Sequence, residues 1–463
     1  MLKALKYALF GLLALLAASC IRNDHLDADD STPEQLLAPS DDEILAMVPS
    51  VRNTAYYKDF FLDGGCCLNP GVKVNGKIVN GRMPAVLEQL GLSYEFFVSS
   101  VDDAFASPKP EEAVIMNSLI SGDSRDPNGV LLYPDGEPRF KSVFIFGGSS
   151  SSHGNQLSTD SRAKFKTFFM NGGSYLGSCA GAFLAGNRAE GKIMPYFNIW
   201  EGGNMIHTGL NSSSTSMSIP SDSPLLKYGR FGGDGQVAGI RHNGGGYMDE
   251  SSAPAGTEIL ARFGTCPGGS VDAPYYNKVS VWAYKPSLES GRLVVCGSHP
   301  EDGTSGEILE FTSAMYRYAL DGVGCAKVKD VLHDGECKST NLIGDRQCHH
   351  FVFYLTKDNV SVTLELSSAA DADLQLYVKK DTFAFPEDEP DFVSADISSS
   401  VHTITAGPLT KGLWFVTVRC NSEIDAVPVT LDSSHNKGMY YKYKGNDLLL
   451  SGVPYLLKYK IDK

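Results

Sequence analysis

The segment Gly172-Gly-Ser-Tyr-Leu-Gly-Ser-Cys-Ala-Gly-Ala-Phe183 has the pattern of a nucleophile elbow in which cysteine replaces the usual serine. An apolar run, Ser174 to Leu176, leads into a Gly-x-Cys-x-Gly turn, and small residues suited to the start of a helix follow. Glycines flank such a nucleophile because the turn is sharp and only glycine allows the close backbone approach. A thiol at Cys179 would lie at a helix N-terminus, which favours the thiolate.

A second segment, Gly297-Ser-His-Pro-Glu301, supplies a base and a residue to orient it. His299 and Glu301 are two residues apart, so on extended backbone their side chains face the same way. Pro300 biases the residue before it towards extended geometry. The alternative is that Cys179 is a small buried hydrophobic residue and that His-Pro-Glu occurs by chance. Because both segments follow apolar, strand-like runs, the two together favour a catalytic Cys-His-Glu site.

These two segments resemble the class I glutamine amidotransferase-like superfamily. With Phe146-Gly-Gly148 and His242-Asn-Gly-Gly-Gly246, the elbow is most similar to the biotin–protein ligase N-terminal domain family, over about residues 50 to 325. The resemblance implies that Cys179 is the nucleophile, His299 the base and Glu301 the residue that orients the base.

The same resemblance implies roles for the residues around the nucleophile. The backbone N–H groups of Gly148 and Ala180 are expected to form the oxyanion hole. The expected substrate-binding residues are Gly147, Phe183, His242, Asn243 and Gly244. Glutamine-hydrolysing members usually carry Gln where this chain has Phe183, which argues against glutamine as the substrate. The intracellular cysteine peptidase-like relatives place the catalytic His directly after the Cys, where this chain has Ala180, so that branch is excluded.

The pattern of residues 50–325 predicts an α/β domain with a mainly parallel sheet flanked by helices, because short apolar runs alternate with helical stretches. In such sheets the active groups gather at the carboxyl ends of the strands. We therefore expect Gly148, Cys179 and His299 at one edge of the sheet.

The pattern changes after residue 325. Residues 326–434 read as strands separated by turns and predict a small all-β sandwich, with residues 435–463 left as a C-terminal tail. Asp371-Ala-Asp-Leu-Gln-Leu-Tyr-Val378 and Gly412-Leu-Trp-Phe-Val-Thr-Val418 resemble the bacterial pre-peptidase C-terminal domain.

The first nineteen residues predict a signal peptide, with flanking lysines and an apolar core from Ala8 to Ala18. That core is shorter than the roughly 20 residues of a membrane span. Ala17-Ala-Ser-Cys20 resembles a bacterial lipoprotein cleavage box, which in a bacterial protein favours lipidation of Cys20; ordinary cleavage and secretion is the alternative. Residues 20–49 are polar and read as a flexible tether. The prediction is an exported protein, extracellular or periplasmic, attached to a membrane if Cys20 is lipidated.

The composition limits the partners and cofactors. A formal net charge of −14 argues against nucleic acid, which needs a basic face. Of ten cysteines, eight remain once Cys20 and the nucleophile are set aside, and the spacing of Cys325, Cys337 and Cys348 suggests disulfide pairing. No cluster has zinc spacing, so neither a metal nor a cofactor is predicted. Asp371, Asp373 and Asp391 read as solvated turn residues, with a calcium site as the alternative.

Two functions are consistent with the sequence. The first is an exported cysteine-nucleophile hydrolase of amide bonds in a small molecule or peptide, since no synthetase domain is attached and no ATP is expected outside the cell. The alternative is a non-catalytic ligand-binding or surface-interaction protein that retains the amidotransferase-like fold. The intact Cys-His-Glu set favours the enzyme; Phe183, and an oxidising compartment that endangers a free thiol, favour the binding protein.

Overall fold

The computed structural model describes residues 38–63, 72–74, 77–79, 86–87, 89–97, 117–118, 120–124, 126–264, 273–368, 372–395, 399–422, 425–430, 439–444 and 452–462. Residues 39–463 form one compact unit. The predicted signal peptide, Cys20 and residues 20–37 of the predicted tether lie outside the described residues. The rest of that tether contains a helix at Asp41–Ala46, whose Ile44 is buried in a core cluster, so the prediction of a flexible segment is wrong there. In the part of the chain that is described, no helix is both long and apolar enough to cross a membrane.

Five α-helices have both ends among the described residues: α1 (Asp41–Ala46), α2 (Ser150–Gln156), α3 (Thr159–Met170), α4 (Ala180–Ala185) and α5 (Gly306–Leu320). Residues 86–87, 89, 117–118 and 120–121 are also helical. Helix α3 begins after Ser158, whose hydroxyl accepts from the N–H of Ser161 at 3.0 Å. Its buried phenylalanines pack on one face of the main sheet, while α5 packs on the other face. Successive side chains of a β-strand point to opposite faces of the sheet, which explains this layering. Tyr175 packs in the apolar cluster on the α3 side, and the next residue, Leu176, packs in the cluster on the α5 side.

The strands up to residue 296 belong to the α/β part of the chain. They are β1 (Lys58–Asp63), β2 (Val72–Val74), β3 (Lys77–Val79), β4 (Tyr94–Phe97), β5 (Phe140–Ile145), β6 (Ser174–Ser178), β7 (Arg188–Ala189), β8 (Lys192–Ile193), β9 (Asn204–His207), β10 (Ser213–Ser218), β11 (Gln236–His242), β12 (Gly246–Met248), β13 (Thr257–Phe263), β14 (Val279–Tyr284) and β15 (Leu293–Cys296).

Nine of these strands form the main sheet, in the order β11-β10-β13-β14-β15-β6-β5-β1-β4. The half from β15 to β4 is parallel. The half from β11 to β15 is antiparallel. The protein is thus mixed α/β, and the prediction of a mainly parallel sheet holds for one half of the sheet and is wrong for the other. A separate sheet, β12-β9-β7-β8, lies outside this order.

The remaining strands follow residue 325. They are β16 (Val328–Val331), β17 (Cys337–Ile343), β18 (Cys348–Leu355), β19 (Val360–Ser367), β20 (Leu374–Lys380), β21 (Phe392–Ser394), β22 (Val401–Leu409), β23 (Gly412–Cys420), β24 (Asp425–Thr430), β25 (Met439–Lys444) and β26 (Val453–Asp462). Two sheets, β16-β18-β23-β20-β21 and β17-β26-β19-β22, share one apolar core that contains Phe353 and Val416 from the first and Leu364 and Leu457 from the second.

Strand β26 corrects the predicted boundary at residue 434. It lies inside the second sheet, antiparallel to both β17 and β19. Its alternate residues are buried, so Val453, Tyr455, Leu457 and Tyr459 belong to the shared core. The segment assigned to a tail therefore supplies an interior strand.

The cysteines do not pair as their spacing suggested. Cys325, Cys337 and Cys348 are free thiols, as are the other described cysteines. Cys337 opens β17 and Cys348 opens β18, and these strands belong to different sheets. Nearness in sequence therefore does not bring the thiols together.

A buried ion pair joins the two parts of the chain. The Arg139 guanidinium donates to the Asp345 carboxylate, and both side chains are almost fully buried. Beside it, Asp135 accepts from Nε2 of His349 at 3.1 Å and pairs with Lys329. Removing charges from water is costly unless they are paired, so these contacts couple the α/β part to the strands after residue 325.

Candidate active site

The turn at Cys179 joins β6 to α4 and has the geometry of an elbow. Cys179 has φ 47° and ψ −105°, a region that residues with side chains rarely occupy and that costs about 1–3 kcal/mol. The flanking glycines are needed for space. A β-carbon on Gly177 would lie 2.6 Å from the carbonyl of Gly181, and one on Gly181 would lie 2.2 Å from the carbonyl oxygen of Ile145.

Adjacent parallel strands bring the distant segments to one edge of the sheet. Strand β6 lies between β5, which leads to Gly147 and Gly148, and β15, which leads to His299. The N–H of Cys179 donates to the carbonyl of Cys296 at 2.8 Å, which extends the ladder between β6 and β15. The structure therefore places Cys179, His299 and Gly148 at the carboxyl ends of three neighbouring strands.

His299 is held through its backbone and through its side chain. Its backbone N–H donates to the carbonyl of Arg241 at 2.9 Å, and Nδ1 of its imidazole lies 3.2 Å from Oε1 of Glu301. The intervening Pro300 is fixed to α5, because its carbonyl accepts from the hydroxyl of Thr312 at 2.8 Å. His299 is 8% exposed and Glu301 is 5% exposed, so the imidazole and its carboxylate meet away from bulk water.

The surroundings favour the protonated imidazole. Burial lowers the pKa of His299, but the side chains of Cys179 and Glu301 raise it more strongly, to about 10. The imidazolium is thus the form of His299 expected at neutral pH. In the structure the thiol of Cys179, itself 4% exposed, donates to the backbone carbonyl of Asn243 at 3.6 Å.

Gly147 lies against the side chains of both His299 and Cys179. A β-carbon there would lie 2.2 Å from Cε1 of His299 and 3.1 Å from Cβ of Cys179. Both side chains therefore flank the same glycine, and no other residue type fits without displacing one of them. This contact gives Gly147 a packing role at the centre of the site.

Two backbone donors lie beside the nucleophile. Gly148 has φ 145°, and Ala180 is the first residue of α4. Neither N–H donates a hydrogen bond to any residue that the structure describes. Donors left open next to a nucleophile are the arrangement that an oxyanion hole requires.

His242, expected to bind substrate, has a different place. It is fully buried, with Nδ1 2.8 Å from the hydroxyl of Ser298 and Nε2 2.7 Å from that of Thr208. Burial and the nearby His299 lower the pKa of His242 to about 4, so the ring is neutral at pH 7. The buried ring, with both nitrogens engaged, supports the segment before His299, and the expected role of His242 in substrate binding stays a prediction.

The other expected binding residues differ in how exposed they are. Phe183 is buried, and its ring stacks on the half-exposed ring of His207 with centroids 4.5 Å apart. Asn243 and Gly244 are partly exposed, and Oδ1 of Asn243 accepts from the N–H of Ser212 at 2.9 Å. The backbone carbonyl of Asn243 accepts from the thiol of Cys179 at 3.6 Å, and the backbone N–H of Phe183 donates to the carbonyl of Cys179 at 3.2 Å.

Ser178 was missed by the sequence analysis. Its hydroxyl donates to Oε1 of Glu301 at 2.7 Å, and the residue is buried. Oε2 of Glu301 is buried without a hydrogen-bond partner among the described residues. A serine before a nucleophile gives no sequence signal of its own, because the contact joins residues 123 positions apart.

No group of three or more His, Cys, Asp or Glu side chains in the described segments could hold a metal ion. Of the aspartates weighed as calcium ligands, Asp373 accepts from Asn421 at 2.9 Å and Asp391 accepts from the N–H of Lys380 at 2.9 Å. Asp371 lies outside the described residues.

No protein-family model matches the chain, and no curated protein matches it. Many solved structures are similar to parts of it, among them the following three. A glutamine amidotransferase has a TM-score of 0.31 and 13% identity, over 51% of this chain and 93% of that one. A putative GMP synthase subunit from Thermoplasma acidophilum has a TM-score of 0.31 and 11% identity, over 56% of this chain and 93% of that one. The pre-peptidase C-terminal domain of a collagenase from Bacillus anthracis has a TM-score of 0.19 and 7% identity, over 30% of this chain and 98% of that one.

At such TM-scores and identities these likenesses do not assign the chain to either group. Membership of the biotin–protein ligase N-terminal domain family stays a prediction from the motifs.

Proposed function

We propose that this protein is an exported cysteine hydrolase that cleaves an amide bond in a small molecule or peptide. One observation carries the proposal: Cys179, on a strained elbow, flanks the same glycine as His299, whose Nδ1 lies 3.2 Å from the buried carboxylate of Glu301. A nucleophile, a base and an orienting acid in this order suit acyl transfer.

The reaction begins with the thiolate of Cys179 attacking the amide carbonyl, whose π electrons move to the oxygen. The N–H groups of Gly148 and Ala180 stabilise that oxyanion. When the carbon–nitrogen bond breaks, the imidazolium of His299 gives its proton to the departing amine. A water molecule then loses a proton to His299, attacks the thioester and releases the acid, which restores the thiolate.

The groups near the nucleophile restrict the substrate. Phe183 and His207 close one side with stacked rings. Asn243 and Gly244 are partly exposed, and the backbone carbonyl of Asn243 lies 3.6 Å from Sγ of Cys179. A backbone group at this distance from the nucleophile suits a peptide or peptide-like ligand, because backbone groups recognise amides.

The proposed setting is outside the cytoplasm, free or held by a lipid on Cys20. It depends on the N-terminal sequence alone. A hydrolase releases its products to water and needs no ATP-activated acceptor, so it suits the proposed setting.

The test combines a thiol probe with a substrate screen. Purified protein is treated with limiting iodoacetamide at pH 6.5, and labelling is mapped by peptide mass spectrometry. We expect Cys179 to label faster than the exposed Cys325 and Cys337, and its labelling to slow in His299→Ala. A panel of aminocoumarin peptide amides is then screened, with Cys179→Ala as the control. Slow labelling of Cys179 with no amide cleavage would favour the non-catalytic binding protein.

A further inference from the structure

Ser178 is a buried hydroxyl between the nucleophile strand and the acid of the proposed triad. Its Oγ donates to Oε1 of Glu301 at 2.7 Å, and the same oxygen lies 3.2 Å from Nδ1 of His299. One carboxylate oxygen therefore receives two donors from two different segments of the chain.

The backbone of Ser178 is fixed before any ligand arrives. It is the last residue of β6, and it is paired with Cys296 of β15. The side chains that it connects come from the segment after β15. The hydroxyl thus ties the acid to the strand that carries the nucleophile.

The burial of Glu301 is the reason why this hydrogen bond from Ser178 is important. The carboxylate is nearly buried, and its other oxygen, Oε2, has no hydrogen-bond partner in the described part of the chain. A buried carboxylate needs donors to keep its charge, and donors that reach the charged form favour it. Ser178 and His299 supply these donors.

We propose that Ser178 is a positioning residue that holds the Glu301 carboxylate aimed at Nδ1 of His299, and so keeps His299 protonated beside Cys179. The proposal rests on the proposed function for its role in hydrolysis. Its physical content is the reactivity of Cys179 and the titration of His299, both of which are measured without a substrate.

The experiment compares the full-length protein with Ser178→Ala, Ser178→Thr and Ser174→Ala. Ser174 is the matched control, since it is a buried serine on the same strand, and its hydroxyl donates to the carbonyl of Ala319 at 2.6 Å, away from the triad. Circular dichroism checks the fold of each variant. Alkylation of Cys179 by iodoacetamide is followed from pH 5.5 to 9, and the ring nitrogens of His299 are titrated by ¹⁵N NMR.

We expect Ser178→Ala to lower the alkylation rate near neutral pH by about tenfold, the order of effect of one charge-assisted hydrogen bond. The His299 titration should move to lower pH, by about one pH unit for such a loss. Ser178→Thr keeps a hydroxyl donor and should restore both, and Ser174→Ala should change neither.

The results separate the two claims. A wild-type Cys179 that is hyper-reactive, with the same profile and the same His299 titration in Ser178→Ala, overturns this inference and leaves the proposed function standing. A wild-type Cys179 that alkylates like an ordinary exposed thiol overturns both.

Discussion

Phe183 stacks on His207, with ring centroids 4.5 Å apart and planes inclined by 27°. The pair is confined further by Gly246, on which a β-carbon would lie 2.7 Å from the tip of the Phe183 ring. An apolar ring is therefore locked one helical turn after Cys179, where a glutamine-hydrolysing site would offer an amide.

We expect no ammonia release from free glutamine, because its polar head group would find no partner at Phe183 and each unpaired buried polar group costs about 1–3 kcal/mol. The measurement is a coupled ammonia assay at saturating glutamine. Steady release that disappears in Cys179→Ala would contradict the expectation.

The alkylation of Cys179 should be rapid at mildly acidic pH. The raised pKa of His299, about 10, supplies a neighbouring positive charge across the neutral range, which stabilises a thiolate. Rates measured from pH 5.5 to 9 should stay high at the acidic end for Cys179 and should exceed there the rate of the exposed Cys325. A Cys179 that follows the Cys325 curve, or that is found in a disulfide, removes the nucleophile from the proposal.

Glu301→Gln should slow the labelling of Cys179 about tenfold or more while leaving the fold intact. An amide loses the charge that stabilises the imidazolium and can turn its NH₂ towards the ring. In a serine triad the matching change costs about four orders of magnitude, and a cysteine depends less on its base.

Asp302→Asn is the matched control for Glu301→Gln, because Asp302 is the adjacent carboxylate and pairs with Arg241 at 2.9 Å. It should label like the wild type. Equal rates in Glu301→Gln and the wild type, with His299→Ala inactive, would reduce the site to a dyad.

Acid should destabilise the protein through His350. Burial, followed by the nearby His349 and Lys329, lowers the pKa of His350 to about 3. Below pH 6.5, the approximate pKa of a histidine in the unfolded chain, His350 binds a proton in the unfolded state but stays neutral in the folded state. The free energy of unfolding therefore falls as the pH drops from about 6.5 towards 3. At pH 5 this one group accounts for about 2 kcal/mol.

The free energy of unfolding in urea at pH 7.5 and pH 5 tests this. His350→Gln should lose less stability between the two pH values than the wild type does. His333→Gln, which removes an exposed histidine, is the control variant. An unchanged pH dependence in His350→Gln would place the acid sensitivity elsewhere.

Asp345→Asn should cost about 3–5 kcal/mol of unfolding free energy, because it leaves the guanidinium of Arg139 buried without its anion. Urea unfolding measures the loss. Lys227→Ala, which breaks the exposed pair with Asp321, should cost about 0–1 kcal/mol. A loss of less than about 1 kcal/mol in Asp345→Asn would mean that the two parts of the chain fold independently of each other, as the sequence pattern suggests.

The segments that meet at the candidate site carry stronger sequence signals than the sheet that holds them. Gly-x-Cys-x-Gly and His-Pro-Glu are local patterns with a chemical reason for each residue. Strand β10, Ser-Ser-Thr-Ser-Met-Ser, has few apolar residues, so its place in the antiparallel half gave almost no signal. The burial of His242 and the bond from Ser178 to Glu301 depend on contacts between distant segments, which no single stretch records.

Strand β26 sets an order of events during synthesis. Its neighbours β17 and β19 emerge from the ribosome well before it, and each waits with one edge lacking its partner. At about 5–20 residues per second, the wait after residue 367 lasts on the order of 5–20 s. Open strand edges recruit other chains, so this interval is when a nascent molecule most needs a chaperone. A stop codon before Val453 would make the exposure permanent.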